Sequence, residues 1–165
     1  MGLDIFNSHL DRFGINRKLE IDFPQESKGN SPTSAYYNKI YKGENWYSPY
    51  IMSVGIGQGE MELTTIQMAN LAAIIANRGY YFIPHFGKAL RENGKATLIY
   101  DKYRIQNFVD IEYQYFEPVI NGMEQVVQAG TARASYIPDI AICGKTGTAQ
   151  NPHGEDHSIF LLFCA

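Results

Sequence analysis

The sequence is poor in cysteine and in long apolar runs, and neither sign of charge predominates. Its two cysteines, Cys143 and Cys164, lack CxxC spacing, so no zinc site or disulfide framework is indicated, and their apolar surroundings predict buried free thiols. The apolar runs LAAIIA and IFLLFCA are far shorter than the roughly 20 residues that span a bilayer, and the N-terminus has no signal-peptide pattern. With 14 basic against 17 acidic residues and no charged stripe, we expect a soluble chain that binds no nucleic acid.

The sequence does contain enough apolar material for a folded core. Hydrophobic residues make up 45% and charged residues 19% of the 165 positions, which excludes disorder as the main state. Two cysteines are too few to distinguish a reducing from an oxidising compartment. The chain ends on the strand-like run IFLLFCA, whereas domain ends are usually polar, so we expect that this strand belongs to a larger domain.

Apolar periodicity predicts three helices. They are expected at residues 2–13, capped by Gly14, at residues 65–78, which a Thr64 and Gln67 capping box begins, and from Pro118 to a stop at Gly130. The second helix is apolar nearly all round, so we expect it inside the domain.

The remaining segments predict strands and one long loop. The β-rich runs on either side of NPHGED predict an antiparallel hairpin with a loop of about six residues. YYFIP reads as a short strand running into a turn, and KATLIYDKYRIQNF as irregular or edge-strand material. Residues 15–49, rich in Gly, Pro, Ser, Asn and Tyr, predict a long surface excursion with a functional or partner-covering role. Helices first and paired strands last indicate an α+β fold.

The motif GKTG at residues 144–147 has two functional interpretations. A phosphate-binding P-loop requires a glycine where Asp139 stands, and a helix afterwards, so that interpretation fails. The alternative is the KTG box of serine penicillin-recognising enzymes, which lies on a strand, as IAIC before the motif predicts. Strand alternation puts Thr146 and Thr148 on one face, and Lys145 must then reach a common site around the strand.

Two other polar segments favour structural interpretations. GIGQG fails the dinucleotide-binding pattern in both registers, and we interpret it as a tight turn that lets the following helix approach its neighbour. His153, Glu155, Asp156 and His157 lie in a polar turn, where such residues are usually solvated. We therefore expect no metal and no cofactor.

Three blocks of sequence together resemble one known family. SVGIGQGEMELTTIQMANLAAIIANRG, then GTARA at 130–134, then GKTGTAQ at 144–150, are similar in order and spacing to the C-terminal half of class B penicillin-binding proteins, especially the elongation-type transpeptidases. DRFGINRKLEIDFPQESKGNSP also resembles that family, although Leu19 and Glu20 replace its usual small residues. The resemblance implies part of a DD-peptidase/β-lactamase-like, three-layer α-β-α transpeptidase fold.

The resemblance also implies a chemistry and its residues. Such enzymes cross-link peptidoglycan stem peptides through a serine acyl-enzyme, which β-lactams trap. Lys145 would supply positive charge near the substrate carboxylate and a second-motif serine, the hydroxyls of Thr146 and Thr148 would hold that carboxylate, and the Thr148 N–H would be an oxyanion donor. Gly147 would let the substrate backbone come close. The family further implies elongation-complex partners and an anchored protein on the periplasmic side of the inner membrane.

The departures from the family concern the nucleophile. None of the eight serines belongs to an SxxK or an SxN motif, so we expect residues 1–165 to be an inactive C-terminal piece of the transpeptidase domain. Unpaired strand edges in such a piece predict association from edge to edge or pairing with another segment. Two alternatives stay open: a non-catalytic penicillin-recognising sensor or wall-binding module, and an interaction domain in which the Tyr-rich segment 36–50 docks a partner or forms a lid.

Overall fold

Five α-helices, three short 3₁₀ helices and three antiparallel strand pairs form the regular structure of the described part of the chain. The computed structural model describes residues 2–42, 44–93, 95–98, 101–151 and 153–165. The helices are α1 (Leu3–Arg12), α2 (Ser34–Ile40), α3 (Ser48–Gly55), α4 (Thr65–Ala76) and α5 (Glu117–Gln128). The strands are β1 (Tyr80–Tyr81), β2 (Ala89–Glu92), β3 (Lys95–Leu98), β4 (Asn107–Phe108), β5 (Ile142–Ala149) and β6 (His157–Cys164). They pair as β1 with β4, β2 with β3, and β5 with β6.

The three predicted helices are α1, α4 and α5, and their ends lie within one or two residues of the predicted ones. Gly14 follows α1 with a left-handed φ of 77°. Before α4, the Thr64 hydroxyl accepts the backbone N–H of Gln67 while the Gln67 side chain accepts that of Thr64, which completes the capping box. Pro118 lies in the first turn of α5, where its missing N–H costs no hydrogen bond.

The expectation that α4 lies inside the domain is wrong for one of its faces. Ala72 and Ile74 are buried, but Thr65, Ala69 and Ala73 are exposed. These three positions are four residues apart, so they form a single stripe along the helix. The stripe consists of small side chains, and a mean hydropathy taken over the whole helix does not reveal it.

The predicted surface excursion at residues 15–49 is wrong for its second half. Residues 34–40 form α2, and α3 begins at Ser48, because the aromatic side chains build a small core of their own. Tyr37 is completely buried, and its ring lies 5.2 Å from that of Trp46 and 5.5 Å from that of Tyr50, centroid to centroid. The cluster extends to Leu3 and Val54, so it connects α1 to α3. Most of the aromatic surface that could dock a partner is used in this core.

The first half of that segment is irregular but firmly attached to α4. The buried side chain of Gln67 donates through Nε2 to the carbonyls of Arg17 at 3.1 Å and Lys28 at 2.9 Å. Asn30 and Glu62 exchange backbone hydrogen bonds of 2.8 Å. These bonds satisfy backbone groups that a helix or sheet would otherwise satisfy, which explains how a stretch without periodicity remains ordered.

The main core lies where the two long helices meet the C-terminal hairpin. α5 packs on β5 and α4 on β6. Ile74 from α4, Ile120 and Met123 from α5, and Cys143 from β5 are buried against one another. Cys143 is thus the buried thiol that was predicted, but Cys164 is exposed. Alternation explains the difference, since Phe163 of β6 packs on this core and the next side chain must point away.

The hairpin of β5 and β6 is in continuous register from Ile142 opposite Cys164 to Ala149 opposite His157. The predicted polar turn is confirmed, and the carboxylate of Asp156 accepts the backbone N–H of Asn151 across it. Pro152 in this turn, like Ile99 and Tyr100 in the segment predicted to be irregular, lies outside the described residues. Both outer edges of the two-stranded hairpin lack a strand partner in the described chain, and edge-to-edge association stays a prediction. None of the helices among the described residues has the length and apolarity needed to cross a membrane.

Replacing Tyr37 with phenylalanine is expected to lower the free energy of unfolding by about 1 to 2 kcal/mol at neutral pH, because the Tyr37 hydroxyl donates a 2.7 Å hydrogen bond to Glu60. Burial and this carboxylate raise the pKa of Tyr37 above its ordinary value of 10.0. The stabilisation is therefore complete below pH 10 and declines as the pH rises further, since the unfolded state then loses its proton first. Urea titrations at pH 8 and above pH 10 should show the difference between the two proteins narrowing. A difference that widens would contradict this assignment.

Candidate functional site

The outer edge of β5 presents backbone groups that no strand of the described residues uses. The backbone N–H of Ala165 donates to the carbonyl of Ala141, its direct partner in the register, at 2.9 Å. In an antiparallel pair such hydrogen-bonded positions recur at every second residue. The N–H and C=O groups of Lys145 and Gly147 therefore face β6, and those of Thr146 and Thr148 face outward.

The two threonine side chains lie on one face of the strand, as alternation predicts. The hydroxyl of Thr146 shares a 2.9 Å hydrogen bond with that of Thr131, which follows the C-terminal end of α5. The hydroxyl of Thr148 is exposed on the same face. Two hydroxyls and two outward N–H groups thus converge along one edge, an arrangement suited to binding an anionic, extended ligand.

Lys145 reaches this edge from the other face of the strand. Its side chain is exposed, and Nζ donates to the backbone carbonyl of Thr146, one of the outward-facing groups. The amine therefore bends around the strand, as its position in the alternation requires. It brings a positive charge to the edge where the threonine donors converge.

The glycine-rich loop after α3 also contacts this edge. The loop turns tightly at Gly57, whose φ is 76°, and the backbone N–H of Gln58 donates to the carbonyl of Ser53 at 2.9 Å. The Gln58 side chain then donates from Nε2 to the outward carbonyl of Thr148 at 3.1 Å. The tight turn is confirmed, but the close approach is wrong for Gly57, because a Cβ there would have no atom within 4 Å.

An open cavity of about 270 Å³ lies on the Lys145 face of the hairpin. Its lining comes from Gly57 and Gln58, from Met68 and Leu71 of α4, and from both strands. It is mostly apolar, and Lys145 is one of its lining residues. The loop, the helix and the strand therefore form three sides of a cleft along the KTG motif.

The structure brings together all four residues predicted for the site and adds two more. Lys145, Thr146, Gly147 and Thr148 line one stretch of β5. The sequence interpretation missed Gln58 and Thr131, which touch that stretch from elsewhere in the chain. Both belong to blocks that the resemblance includes, GIGQG and GTARA, and their presence there was the available signal.

Comparison with known proteins accounts for this arrangement. Residues 1–160 match the model of the penicillin binding protein transpeptidase domain. The chain belongs to this family. As a member of the penicillin-binding transpeptidases, it is 33% identical over 150 residues to the peptidoglycan D,D-transpeptidase MrdA of Acinetobacter baumannii. That match covers 91% of this chain and 22% of the relative, so the chain spans less than a quarter of that protein's length.

Solved penicillin-binding proteins have the same fold. The chain is 30% identical to Pseudomonas aeruginosa PBP2 in complex with WCK 5153, with a TM-score of 0.78 over 98% of this chain and 36% of that one. Penicillin binding protein 3 of Mycobacterium tuberculosis, complexed with ampicillin, is 27% identical with a TM-score of 0.73, covering 92% of this chain and 33% of that one. These likenesses confirm the predicted α+β, DD-peptidase-like transpeptidase fold.

Proposed function

We propose that this chain supplies one side of the active site of a peptidoglycan D,D-transpeptidase, the side that binds the substrate and stabilises the oxyanion. The observation that carries the proposal is the outer edge of β5. There the hydroxyls of Thr146 and Thr148, their outward N–H groups and the Lys145 amine face the same space. Family membership and the MrdA relative support the same reaction class.

Each residue has a role in the proposed reaction. A serine oxygen attacks the carbonyl carbon between two D-alanines and forms a C–O bond, while the C–N bond breaks and the serine proton passes to the departing D-Ala amine. An amine of a neighbouring stem peptide then attacks the acyl carbon and forms a new C–N bond. The C–O bond breaks, and the proton of the attacking amine returns to the serine oxygen. The Thr148 N–H donates to the negative oxygen in both steps, and such a donor typically contributes about 3 kcal/mol. Lys145 and the two threonine hydroxyls hold the substrate carboxylate, while Gly147 leaves room for its backbone.

The serine itself is proposed to lie outside residues 1–165, because none of the eight serines here has the SxxK or SxN spacing. Ser158 is the serine nearest to the motif in register, since it pairs with Thr148. It is exposed and lies in no SxxK motif. The 165-residue chain is therefore proposed to be the C-terminal part of a transpeptidase domain and inactive when isolated.

The ligands, partners and location of the whole protein follow from the family. We infer that it binds peptidoglycan stem peptides and β-lactams, as the ampicillin complex of the related penicillin binding protein 3 illustrates for that protein. We also infer elongation-complex partners and a membrane-anchored, periplasm-facing location, since these accompany the elongation-type members that the sequence resembles.

The reaction can be tested with a synthetic stem pentapeptide ending in D-Ala-D-Ala. The full-length protein is expected to release D-alanine when an acceptor amine is present, and residues 1–165 alone are expected to release none. D-alanine release by the isolated chain would refute the proposed inactivity. A full-length protein that binds penicillin without releasing D-alanine would instead favour the sensor.

A further inference from the structure

The outer edge of β5 lacks a neighbouring strand in the described chain, yet two side chains attach it to the rest of the fold. An unpaired edge strand is free to shift and twist, which would spread the positions of its outward groups. Gln58 donates to the Thr148 carbonyl at 3.1 Å, and Thr131 shares a hydrogen bond of 2.9 Å with the Thr146 hydroxyl. The Thr146 hydroxyl is proposed to hold the substrate carboxylate. The Thr148 carbonyl belongs to the residue whose N–H is proposed to donate to the oxyanion.

Gln58 connects the edge to a rigid part of the molecule. Its backbone N–H is bonded to Ser53 within α3, and Val54 of that helix is 1% exposed in the Tyr37 cluster. The Gln58 side chain is itself half-buried. A hydrogen bond from such an anchor restricts rotation about the Cα–C bond of Thr148. It holds the peptide group between Thr148 and Ala149, which adjoins the peptide group that carries the Thr148 N–H.

Thr131 is anchored independently at the end of α5. The backbone N–H of the next residue, Ala132, donates to the carbonyl of Val126 at 3.1 Å, and Ala132 is buried against Val127 and Ile142. The backbone that carries the Thr131 side chain is therefore held in place. The hydrogen bond from Thr131 to the Thr146 hydroxyl favours one of the rotamers that the Thr146 side chain can adopt.

We propose that Gln58 and Thr131 are positioning residues for the transpeptidase edge: Gln58 orients the backbone of Thr148, and Thr131 orients the hydroxyl of Thr146. The proposal rests on the proposed function, and it gives the two residues different roles. Thr148 donates to a charge that develops in the transition state, so Gln58 acts on the acylation step. Thr146 binds a carboxylate already present in the substrate, so Thr131 acts on binding.

Rapid-mixing kinetics of the full-length protein with benzylpenicillin separates these roles. Gln58→Met keeps the length and the neutrality of the side chain but removes its donor. It should lower the limiting acylation rate about three- to tenfold, the range that one hydrogen bond supports, and leave the dissociation constant of the non-covalent complex unchanged. Gln25→Met makes the same exchange at an exposed position earlier in the chain and should change neither constant.

Thr131→Val should affect binding and leave the acylation rate nearly unchanged. It should raise the dissociation constant of the non-covalent complex about three- to tenfold with little change in the limiting acylation rate. Thr131→Ser, which restores the hydroxyl, should recover the wild-type constant. A general loss of structure at the end of α5 would not be rescued in this way.

The contact of Gln58 can be observed without catalysis. In the ¹³C,¹⁵N-labelled 165-residue chain, Gln58→Met should shift the carbonyl carbon resonance of Thr148, and Gln25→Met should not. If that resonance shifts and both acylation constants stay at wild-type values, Gln58 is not a positioning residue and the inference fails alone. If the full-length wild type is not acylated, the proposed function fails and this inference fails with it.

Discussion

Lys145→Ala is expected to lower the second-order rate constant for acylation of the full-length protein by benzylpenicillin by about 100- to 1000-fold. The Lys145 amine bends around β5 to the edge where Thr146 and Thr148 face outward. In the proposed site it is therefore the cation that meets the ligand carboxylate. A positive charge held beside the reacting groups stabilises the negative charge that develops in the transition state. The rate constant is measured with a fluorescent penicillin at several concentrations.

Two controls separate this effect from a change in folding. Lys145 is exposed and belongs to no core cluster, so the melting temperature of Lys145→Ala should match that of the wild type. Lys39→Ala removes an exposed lysine from α2 and should leave acylation unchanged. If the Lys145→Ala variant is acylated at a rate within threefold of the wild type, Lys145 has no role in the site.

Thr148→Pro should produce a loss of similar size, about 100- to 1000-fold in the limiting acylation rate, because proline removes the N–H assigned to the oxyanion. Thr148 lies at an outward-facing position of β5, so its N–H takes no part in the ladder with β6. Proline is tolerated at such edge positions. Gly147 before it lies in the extended conformation that a residue preceding proline prefers.

Thr148→Ala is the matched comparison, since it removes the hydroxyl and keeps the N–H. It should weaken non-covalent binding by about tenfold or less, the loss of one hydrogen bond to a charged group. Equal limiting rates for Thr148→Pro and Thr148→Ala would show that the N–H is not an oxyanion donor. Circular dichroism of both variants verifies that the strand is retained.

The sequence predicted those elements whose signals are local. Periodicity and caps located α1, α4 and α5, and two β-rich runs around a polar turn located the hairpin. α2 and α3 were missed because they are only 7 and 8 residues long and their aromatic residues pack into a cluster instead of following a regular stripe. The hairpin of β2 and β3 had an available signal, Asn93 before a glycine, and Asn93 indeed has a left-handed φ of 52°.

In the candidate site too, the sequence predicted only the residues whose signal is local. Strand alternation was enough to place Thr146 and Thr148 together and Lys145 on the other face. Gln58 lies 90 positions before Thr148, and Thr131 lies 15 before Thr146. No local pattern announces a hydrogen bond over such separations, because the folding of α3 and α5 against the hairpin determines it.

The most direct test of the account is to locate the penicillin adduct by mass spectrometry. Full-length protein is treated with benzylpenicillin, digested, and searched for the peptide carrying the penicilloyl group, in parallel with the isolated 165-residue chain. We expect the adduct on a serine outside residues 1–165 in the full-length protein, absent from its Lys145→Ala variant after brief exposure, and no adduct on the isolated chain. An adduct on Ser158 or any other serine of this chain, or none on the full-length protein, would contradict the account.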